Sequence, residues 1–353
     1  MEMITAGEMI KNGGLVAFPT ETVYGLGADA FNPQAVERIY TAKGRPGDNP
    51  LILHVASPAV FFELAQNPPP YAAKLIEAFW PGALTLVVKK NANLPHWLGG
   101  HPSRQTDTIA IRMPANPVAQ AIIASSGCVI AAPSANKAGT PSPTTANHVK
   151  DDFVSGEVDM IVDGGSVALG LESTVIDATS AEPAILRPGA VTGEMINATL
   201  GIDIFTVATA FSATNRDKAS TSHGNDSAPC APPRSPGMKY RHYAPKAPMT
   251  IIVGASENIA AYIKKECKTS DWQSVGILAS SDFLYDFATG EKAKVLALGG
   301  TPKAAAQNLF AHLRTFDKLG VSEIYAEAIH GTGLGVAIMD RMLKAAEGRI
   351  IYV

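Results

Sequence analysis

The pattern of apolar and polar positions divides the chain into two parts. Before about residue 205, short apolar runs typical of strands alternate with fewer segments of helical periodicity. The strand candidates are LVAF, LILHV, LTLVVK, TIAIRM, CVIAA, MIVDG, STVID and AILR. The helix candidates are PQAVERIYTAKG, PYAAKLIEAFW, NPVAQAIIASSG and TGEMINATLG. Because strands outnumber helices, the pattern predicts an α/β domain whose sheet has mixed strand direction.

The second part begins at residue 248 and alternates strands and helices regularly. MTIIVG, SVGILAS and EIYAEA have the composition of buried parallel strands. The segments with helical periodicity are SENIAAYIKKEC, TPKAAAQNLFAHLRTFDKLG and GVAIMDRMLKAAEG. This order predicts a smaller Rossmann-like domain with a parallel sheet. No GxGxxG follows its first strand, which argues against dinucleotide binding there.

A segment with almost no large apolar residues separates the two parts. Residues 206–236 are rich in Ser, Thr, Ala, Asn and Pro, and they bury too little surface to offset the entropy of ordering. The segment ends in GMKYRHYAP, which is dense in aromatic and cationic side chains. The sequence therefore predicts a domain over 1–205, a linker over 206–247 and a second domain over 248–353.

Composition narrows the class of protein. The chain has 353 residues and a net charge of −3, so it lacks the global basic character of many nucleic-acid-binding proteins. Cys128, Cys230 and Cys267 are widely spaced and form no CxxC, which predicts reduced thiols rather than disulfides or a zinc site. Neither a signal-peptide pattern nor an apolar run of about 18 residues occurs, so we expect a cytoplasmic protein with no membrane contact.

The stretch FPTETVYGLGADA, residues 18–30, is the first place where chemistry is suggested. Thr20, Thr22 and Tyr24 supply three hydroxyls and Glu21 a carboxylate, directly against two glycines. So many hydrogen-bonding groups at the end of an apolar strand predict that a polar ligand is held there. An ordinary transition from strand to turn is the alternative for this stretch alone.

KGRPGDNPLILHV, residues 43–55, carries two cations beside a glycine-containing turn. Arg45 offers a planar fork and Lys43 a mobile point charge, a combination suited to a polyphosphate. A solvated helix end with cations near its C-terminus is the alternative. His54 lies in an apolar strand, where an isolated histidine is more often a satisfied core residue than a ligand.

Two further loops place polar groups where strands begin or end. VIAAPSANKAGTPSPTT, residues 129–145, runs from a buried strand into small and hydroxyl residues, which favour close approach of an anionic ligand. A plain Ser/Pro loop is the alternative there. In GLESTVID, Ser173 stands at the start of a predicted strand. Arg112 and Arg187 stand at the ends of two other predicted strands, TIAIRM and AILR. Burying an arginine without a partner is costly, so both guanidinium groups are expected to meet anions.

The inventory of groups limits the reaction class. The sequence shows no Cys–His pair, no nucleophile elbow and no cluster of metal-ligand residues. Cations and neutral hydroxyls dominate instead. This combination suits an enzyme that positions a nucleotide and a small polar acid without forming a covalent intermediate.

Several long motifs in one order resemble the YrdC/Sua5 family. PTETVYGLG, KGRPGDNPLILHV, AAPSANKAGTPSPT and GLESTVID are similar to its catalytic domain, and SPGMKYRHYAP before a Rossmann-like tail is similar to its two-domain Sua5 form. The resemblance implies a large twisted mixed sheet and a threonylcarbamoyl-AMP synthase, a nucleotidyltransferase. Such an enzyme joins L-threonine, bicarbonate and ATP into L-threonylcarbamoyladenylate and pyrophosphate.

The resemblance also implies partners and a cofactor. The product would feed the t6A modification at position 37 of tRNA, which separate transfer proteins install, with weak or no direct tRNA binding by this chain. Mg²⁺ would be carried on the phosphates of ATP, with no metal ligand from protein side chains.

Residue roles follow from the same motifs. Catalysis would rest on Lys43, Arg45 and Arg112. The threonine pocket would contain Thr22, His54, Arg112, Ala132 through its backbone, and Ser173. ATP would be held by Lys43, Arg45, Asn49, Thr108, Ser134, Ser142, Arg187 and His242, with Asn136 beside them. A lid would be formed by Tyr240, His242 and Tyr243.

Other interpretations stay open at the level of sequence. The same cations could bind an RNA backbone. A carbamoyl-transfer module acting on carbamoyl phosphate is a second alternative, although related modules occur in chains with zinc-finger segments that this chain lacks. The C-terminal domain could be regulatory. Glu21 has no assigned role, and one option is that it orients Lys43 or Arg45.

Overall fold

The computed structural model describes residues 1–154, 156–206, 242–269, 274–280, 293–329 and 331–353. Most of the predicted linker, including Tyr240, lies outside these residues. The strands of the N-terminal domain are β1 Val16–Pro19, β2 Tyr24–Asp29, β3 Ile52–His54, β4 Leu84–Lys89, β5 Thr108–Arg112, β6 Ile130–Ala131, β7 Met160–Ile161, β8 Thr174–Asp177, β9 Ala184–Arg187 and β10 Phe205–Thr206. Its helices are α1 Glu2–Lys11, α2 Pro33–Lys43, α3 Pro58–Leu64, α4 Pro70–Phe79, α5 Pro117–Ser126, α6 Ala146–Asp152 and α7 Gly193–Leu200.

The N-terminal strands form one mixed sheet in the order β10-β9-β8-β4-β5-β3-β6-β2-β1-β7. Antiparallel pairs such as β4–β5 and β8–β9 alternate with parallel pairs such as β3–β5 and β4–β8. Helices α1 and α5 pack on one face through Ile10 and Ile122, while a larger apolar core fills the other. The predicted α/β class with a large mixed sheet is confirmed.

Local sequence signals explain where the N-terminal helices begin and end. Asn32 and Asn116 cap α2 and α5 with their side-chain oxygens, and each is followed by a proline at the first helical position. Gly44 then ends α2 with a φ of 60°, in the left-handed region that glycine adopts without strain. This sharp stop turns the chain between Lys43 and Arg45, so that both side chains leave the helix end in the same neighbourhood.

The C-terminal domain is a parallel sheet flanked by helices, as the second pattern predicts. Its strands are β11 Met249–Val253, β12 Val275–Ala279, β13 Ala293–Ala297, β14 Glu323–Glu327 and β15 Ile350–Tyr352, in the order β13-β12-β14-β11-β15. Its described helices are α8 Ser256–Thr269, α9 Pro302–Leu319 and α10 Leu334–Ala345. Thr301 caps α9 at its start and Gly320 ends it in the left-handed region.

An apolar core joins the two domains. Val23, from the β1–β2 turn, and Leu171, from the loop before β8, are buried in the same cluster as Tyr243 and Phe310 of the C-terminal part. Gly170, in this loop, has a φ of +77° and lies so close to α9 that a Cβ atom would be 2.4 Å from the Ala306 carbonyl oxygen. Only glycine satisfies both conditions, so the loop before β8 lies directly against α9.

The pattern missed several elements. YGLGAD forms β2, an antiparallel partner of β1, although the two glycines suggest a turn. Gly27 suits the strand because a Cβ there would lie 2.5 Å from the Phe18 ring. Helices α1, α3 and α6 and the edge strands β13 and β15 also lack a recognised signal. No helix among the described residues is long and apolar enough to cross a membrane.

Candidate active site

The strand registers bring the predicted site residues together. His54 at the end of β3 lies opposite Arg112 at the end of β5, and Arg112 lies opposite Thr85 of β4. Along the same row, the first residues of β8 pair with β4, and Val175 of β8 lies opposite Arg187 of β9. One edge of the mixed sheet therefore presents side chains from five neighbouring strands.

A cavity of about 300 Å³ opens above this edge. The turn between β1 and β2, the end of α2 and the loops after β6 and before β8 form its walls. Its lining includes these residues predicted for the site: Thr22, Lys43, Arg45, Asn49, His54, Arg112, Ala132, Ser134, Asn136, Ser173, Arg187, His242 and Tyr243. These predicted residues thus converge on one cavity from positions spread over more than 200 residues, while Thr108 and Ser142 are not among its lining.

Three of the lining cations have no carboxylate in ion-pair distance among the described residues. Lys43 donates to the backbone carbonyls of Ser134 and Asn136. Arg45 donates to the carbonyls of Asn49 and Pro50, at 3.1 and 2.7 Å. Burial lowers the pKa of Lys43 well below its ordinary value, and the nearby charge of Arg45 lowers it further. Such a concentration of buried positive charge fits an anionic ligand.

Arg187 completes this group of cations. Its Nε donates to the Ser173 carbonyl oxygen at 3.0 Å, and its Nη2 donates to the Ser173 hydroxyl at 3.2 Å. Burial lowers the pKa of the Arg187 guanidinium, although an arginine stays charged at neutral pH. Two of its five N–H groups are used in these bonds, which leaves donors for a ligand.

Unsatisfied buried polar atoms lie in the walls of the same cavity. Among the described residues, the Oδ1 atoms of Asn49 and Asn136 and the Nε2 atom of His242 are buried without a hydrogen-bond partner. Buried polar groups are paired in the great majority of cases, and an unpaired one costs about 1–3 kcal/mol. Three such atoms around one cavity indicate that a ligand supplies the missing partners.

The opposite end of the cavity is built around Arg112. Its Nη2 lies 2.6 Å from Glu21 Oε1, its Nη1 donates to Thr22 Oγ1 at 2.9 Å, and its Nε donates to the Gly82 carbonyl oxygen. Glu21 is thus the anionic partner that burial of Arg112 requires, and it orients neither Lys43 nor Arg45. Two of the five N–H groups of Arg112 remain for a ligand.

The hydroxyls beside Arg112 have a defined hydrogen-bond direction. Thr20 Oγ1 donates to the Val23 carbonyl at 2.6 Å, so the 2.8 Å contact between Thr20 and Thr22 is a bond donated by Thr22. Thr22 Oγ1 therefore has no proton to offer a ligand and can only accept from one. Its environment suits an amine or a hydroxyl donor of the ligand.

His54 adds a second acceptor at this end. Its Nδ1 lies 3.1 Å from the Ile52 carbonyl oxygen, which fixes the proton on Nδ1 and leaves Nε2 as an acceptor. Burial, reinforced by the charge of Arg112, lowers the pKa of His54 to about 3. The imidazole is therefore neutral at physiological pH and contributes hydrogen bonding rather than charge.

Two predicted residues act here through specific atoms. The N–H of Ala132 already donates to the Ile52 carbonyl at 3.0 Å, so only its carbonyl oxygen is left to meet a ligand. Ser173 Oγ lies 2.7 Å from Thr85 Oγ1 and accepts from Arg187. Ser173 thus lies between the end with Arg112 and the end with the three cations.

Ser142 acts through a residue that the sequence did not single out. Its hydroxyl donates to Glu172 Oε1 at 2.5 Å, and Glu172 lines the cavity. Thr85 is a second missed residue. Glu172 had a signal, because it is a carboxylate a few residues before a strand, beside hydroxyl residues, as Glu21 is, whereas Thr85 is inside an apolar strand.

The structure does not bring Thr108 to the cavity. Thr108 begins β5 and lies opposite Lys89, while Arg112 ends the same strand. At about 3.3 Å per residue, the two lie about 13 Å apart. Because β3 runs parallel to β5 with Ile52 opposite Ala110, Thr108 lies on the side of β5 where Asn49 and Pro50 precede β3, so its assignment to the nucleotide stays a prediction. No group of three His, Cys, Asp or Glu side chains suited to a metal ion was found within the described part of the chain.

His242 and Tyr243 close the side of the cavity that faces the C-terminal domain. Tyr243 has a φ of 63°, a conformation that costs a non-glycine residue about 1–3 kcal/mol. Packing offsets this cost, because the Tyr243 ring lies 5.1 Å from that of Phe310 and 5.7 Å from the Arg341 guanidinium. Burial lowers the pKa of His242 to about 4, so its imidazole is neutral.

We expect Glu21→Gln to lower the free energy of unfolding by about 3 kcal/mol at pH 7, because it leaves Arg112 buried without its anion. Burial alone would raise the pKa of Glu21, but the charge and hydrogen bonds of Arg112 outweigh it and lower this pKa. The stability that Glu21 contributes is therefore fully present above pH 4.5, its ordinary pKa. It is lost as the pH falls through the lower pKa that Glu21 has in the folded protein. Urea denaturation of both proteins between pH 7 and pH 3 should show the difference shrinking. A difference that stays constant would contradict the ion pair.

The fold and the cavity define a two-domain α/β protein that holds an anionic ligand beside a small polar one. Residues 8–189 match the Sua5/YciO/YrdC family model, which carries the description telomere recombination. Residues 191–347 match the model for the C-terminal domain of threonylcarbamoyl-AMP synthase.

Similar proteins match this chain over nearly its whole length. A threonylcarbamoyl-AMP synthase of Pyrococcus abyssi is 42% identical over 99% of this chain and 95% of its own, and one of Bacillus subtilis is 41% identical over 99% and 94%. A crystal structure of P. abyssi Sua5 in complex with L-threonine matches with a TM-score of 0.84 at 40% identity, covering 100% of this chain and 96% of that one. The chain belongs to the Sua5/YciO/YrdC family, in its two-domain Sua5 form, and the predicted resemblance is confirmed.

Proposed function

We propose that the protein is a threonylcarbamoyl-AMP synthase, which makes L-threonylcarbamoyladenylate and pyrophosphate from L-threonine, bicarbonate and ATP. The observation that carries this proposal is one cavity with two different ends. One end has three cations without ion-paired carboxylates among the described residues, and the other combines a guanidinium with neutral acceptors. Curated relatives with this activity match the chain over nearly its full length.

The nucleotide would occupy the cationic end. Lys43, Arg45 and Arg187 would meet the phosphates, because charge-assisted bonds to phosphate oxygens are strong and the arginine fork matches their geometry. The orphaned Oδ1 of Asn49 and Nε2 of His242 would find partners on the nucleotide. Ser134 and Ser142 would complete this end. Thr108, which the resemblance also places with ATP, does not line the cavity and lies on the side of β5 nearest Asn49 and Pro50.

Threonine would occupy the other end. Its carboxylate would take the two unused N–H groups of Arg112, and its amine would donate to the Thr22 hydroxyl oxygen, which can only accept. His54 Nε2, the Ala132 carbonyl oxygen and Ser173 are left for the remaining polar groups of threonine. This arrangement points the amine toward the cationic end, where bicarbonate and the α-phosphate would lie.

The chemistry follows from this placement. The threonine nitrogen attacks the bicarbonate carbon, a C–N bond forms, and water leaves to give a carbamate. A carbamate oxygen then attacks the α-phosphorus, the bond to the β-phosphate oxygen breaks, and pyrophosphate leaves. Such steps require positioning and stabilisation of charge, which fixed guanidinium groups and a buried ammonium supply.

Mg²⁺ fits this proposal as a companion of the phosphates rather than as a resident of the protein. Of the two carboxylates at the cavity, Glu172 is bonded to Ser142 and Arg341, and Glu21 is bonded to Arg112. The ion would therefore be held by phosphate oxygens and its own waters, and it would offset negative charge on the leaving group. We place the reaction in the cytoplasm, which the free thiol of Cys128 supports. The product would feed separate proteins that modify tRNA.

The proposal is tested by pyrophosphate release from ATP with each substrate omitted in turn. We expect release only when L-threonine and bicarbonate are both present, because the attacking oxygen belongs to their carbamate. Release that continues without threonine would contradict the proposal. RNA binding with no pyrophosphate release would favour the RNA-binding alternative. Lys43 and Arg187 are buried and Arg45 is partly buried, which favours a small ligand over an RNA backbone.

Thr22→Val should raise the KM for threonine about tenfold, because it removes one acceptor for the amine while nearly preserving side-chain volume. The KM for ATP should stay within about twofold of wild type, since Thr22 lies at the end of the cavity away from the cations. Steady-state kinetics with each substrate varied separately provide the comparison. Thr20→Val is not a clean control, since Thr20 anchors Thr22, so Thr41→Val on the outer side of α2 serves instead. Equal changes in both KM values would contradict the assignment.

A further inference from the structure

A buried arginine of the C-terminal domain reaches the catalytic cavity through one carboxylate. Arg341, on α10, has no exposed surface, and its Nε lies 2.9 Å from Glu172 Oε2. Its Nη2 also donates to the Glu172 backbone carbonyl, and its Nη1 lies 2.6 Å from Asp340 Oδ2. The guanidinium is therefore fixed between the two domains by bonds from three of its nitrogen atoms.

The carboxylate that Arg341 holds has a second partner in the cavity wall. Glu172 Oε1 accepts the Ser142 hydroxyl, so the two oxygens of one carboxylate connect the C-terminal domain to the loop after β6. Burial alone would raise the pKa of Glu172, but the charges of Arg341 and Arg187 outweigh it and lower this pKa. Glu172 is therefore ionised, and its electrostatic partners are one arginine from each domain.

The competition between these two arginines matters for the ligand. Arg341 makes the direct ion pair, while Arg187 bonds to Ser173 alone among the described residues and has further N–H groups for a ligand. If Arg341 were absent, the Glu172 carboxylate would still be buried. Arg187 would then be the remaining arginine that stabilises its negative charge. A Glu172–Arg187 pair would then cancel one of the three positive charges at the nucleotide end.

We propose that Arg341 is a positioning residue for the nucleotide end of the cavity: it holds Glu172 so that Ser142 stays oriented and Arg187 stays available to phosphate. The C-terminal domain thereby takes part in nucleotide binding without contacting the nucleotide. This inference rests on the proposed function, because it assigns the ligand of Arg187 as a phosphate. It gives the C-terminal domain a role that the sequence leaves open.

The test measures ATP affinity by titration calorimetry, together with the KM for each substrate. Arg341→Met should weaken ATP binding about tenfold, since one charge-assisted contact is lost to internal pairing. The KM for threonine should change less than about twofold. Glu172→Gln alone should weaken ATP binding less than Arg341→Met does, because its amide oxygen can still accept from Ser142 and no carboxylate remains to pair with Arg187.

The double variant separates positioning from simple loss of stability. Arg341→Met with Glu172→Gln removes the stranded charge, so ATP affinity should return to within about threefold of Glu172→Gln alone. A residue that only stabilised the fold would show no such recovery. The double variant also avoids an unpaired buried carboxylate, so it stays informative if Arg341→Met folds poorly.

Gln307→Ala is the control for the domain interface. Gln307 Nε2 donates to the Ala168 carbonyl at 2.6 Å, across the same interface, but it touches no carboxylate of the cavity. Its loss should leave ATP affinity unchanged. If wild type and Arg341→Met bind ATP equally well, the proposed role of Arg341 is wrong, while the proposed function stands. The same conclusion holds if the double variant does not recover ATP affinity. Wild-type protein that binds no ATP would overturn the proposed function and this role together.

Discussion

Replacing Arg45 with methionine should lower kcat/KM for ATP by about 100-fold to 1,000-fold, the range seen when one preorganised donor to developing charge is removed. Arg45 is anchored by the Asn49 and Pro50 carbonyls, so its remaining N–H groups are held in a fixed direction. Because the fork is preorganised, phosphate binding gains its full electrostatic benefit without further ordering of the side chain. Initial rates of pyrophosphate release at varied ATP concentration measure the loss.

Two companion variants make this result specific. Arg45→Lys retains the charge but not the planar fork, so its activity should fall between those of wild type and Arg45→Met. Arg38→Met removes an arginine of α2, the helix that ends just before Arg45; Arg38 forms a partly exposed pair with Asp159 at 2.8 Å. Surface pairs contribute about 0–1 kcal/mol, so Arg38→Met should keep wild-type kinetics. Wild-type activity in Arg45→Met would remove Arg45 from the nucleotide site.

Tyr243→Ala should uncouple pyrophosphate release from recovery of intact adenylate. We propose that His242 and Tyr243 act as a lid that keeps water from the carbamate and the mixed anhydride. Tyr243 closes the cavity from a buried position between Phe310 and Arg341, and its loss opens that wall. Wild type should yield the adenylate and pyrophosphate in equal amounts, whereas the variant should yield less adenylate than pyrophosphate.

The lid prediction has its own controls. Loss of a buried aromatic ring costs about 3–5 kcal/mol, so thermal unfolding must show that Tyr243→Ala is folded at the assay temperature. Tyr262→Ala removes a tyrosine that packs on Tyr325 within the C-terminal domain, and its product ratio should match that of wild type. His242→Ala, which leaves the contact with Phe310 in place, should show a smaller uncoupling. Equal amounts of both products from Tyr243→Ala would contradict the lid.

Strong local signals made much of the fold predictable. Asn–Pro starts and glycine stops marked α2 and α5, and regular strand–helix alternation marked the C-terminal parallel sheet. β2 was not predicted because Gly27 is required by the close approach of the Phe18 ring, and a contact between strands is not visible in the local sequence pattern. The domain boundaries and the linker stay predictions, since most of the linker lies outside the described residues.

The candidate site was predictable where an unusual polar residue interrupts an apolar run. His54, Arg112 and Arg187 stand at strand ends, and the sheet register brings them together. Thr108 was assigned by resemblance; it does not line the cavity, and its role stays a prediction. The partners of the site residues could not be read from the sequence, because Glu21–Arg112 and Glu172–Arg341 join positions that only the folded chain brings together.

The central claim is that a carbamate of threonine attacks the α-phosphorus of ATP in this cavity. The most direct measurement is mass spectrometry of the products formed from ATP, L-threonine and ¹³C-labelled bicarbonate. We predict a threonylcarbamoyl adenylate that carries the ¹³C label, formed together with pyrophosphate. An unlabelled adenylate, or ADP and phosphate in place of an adenylate and pyrophosphate, would contradict the account.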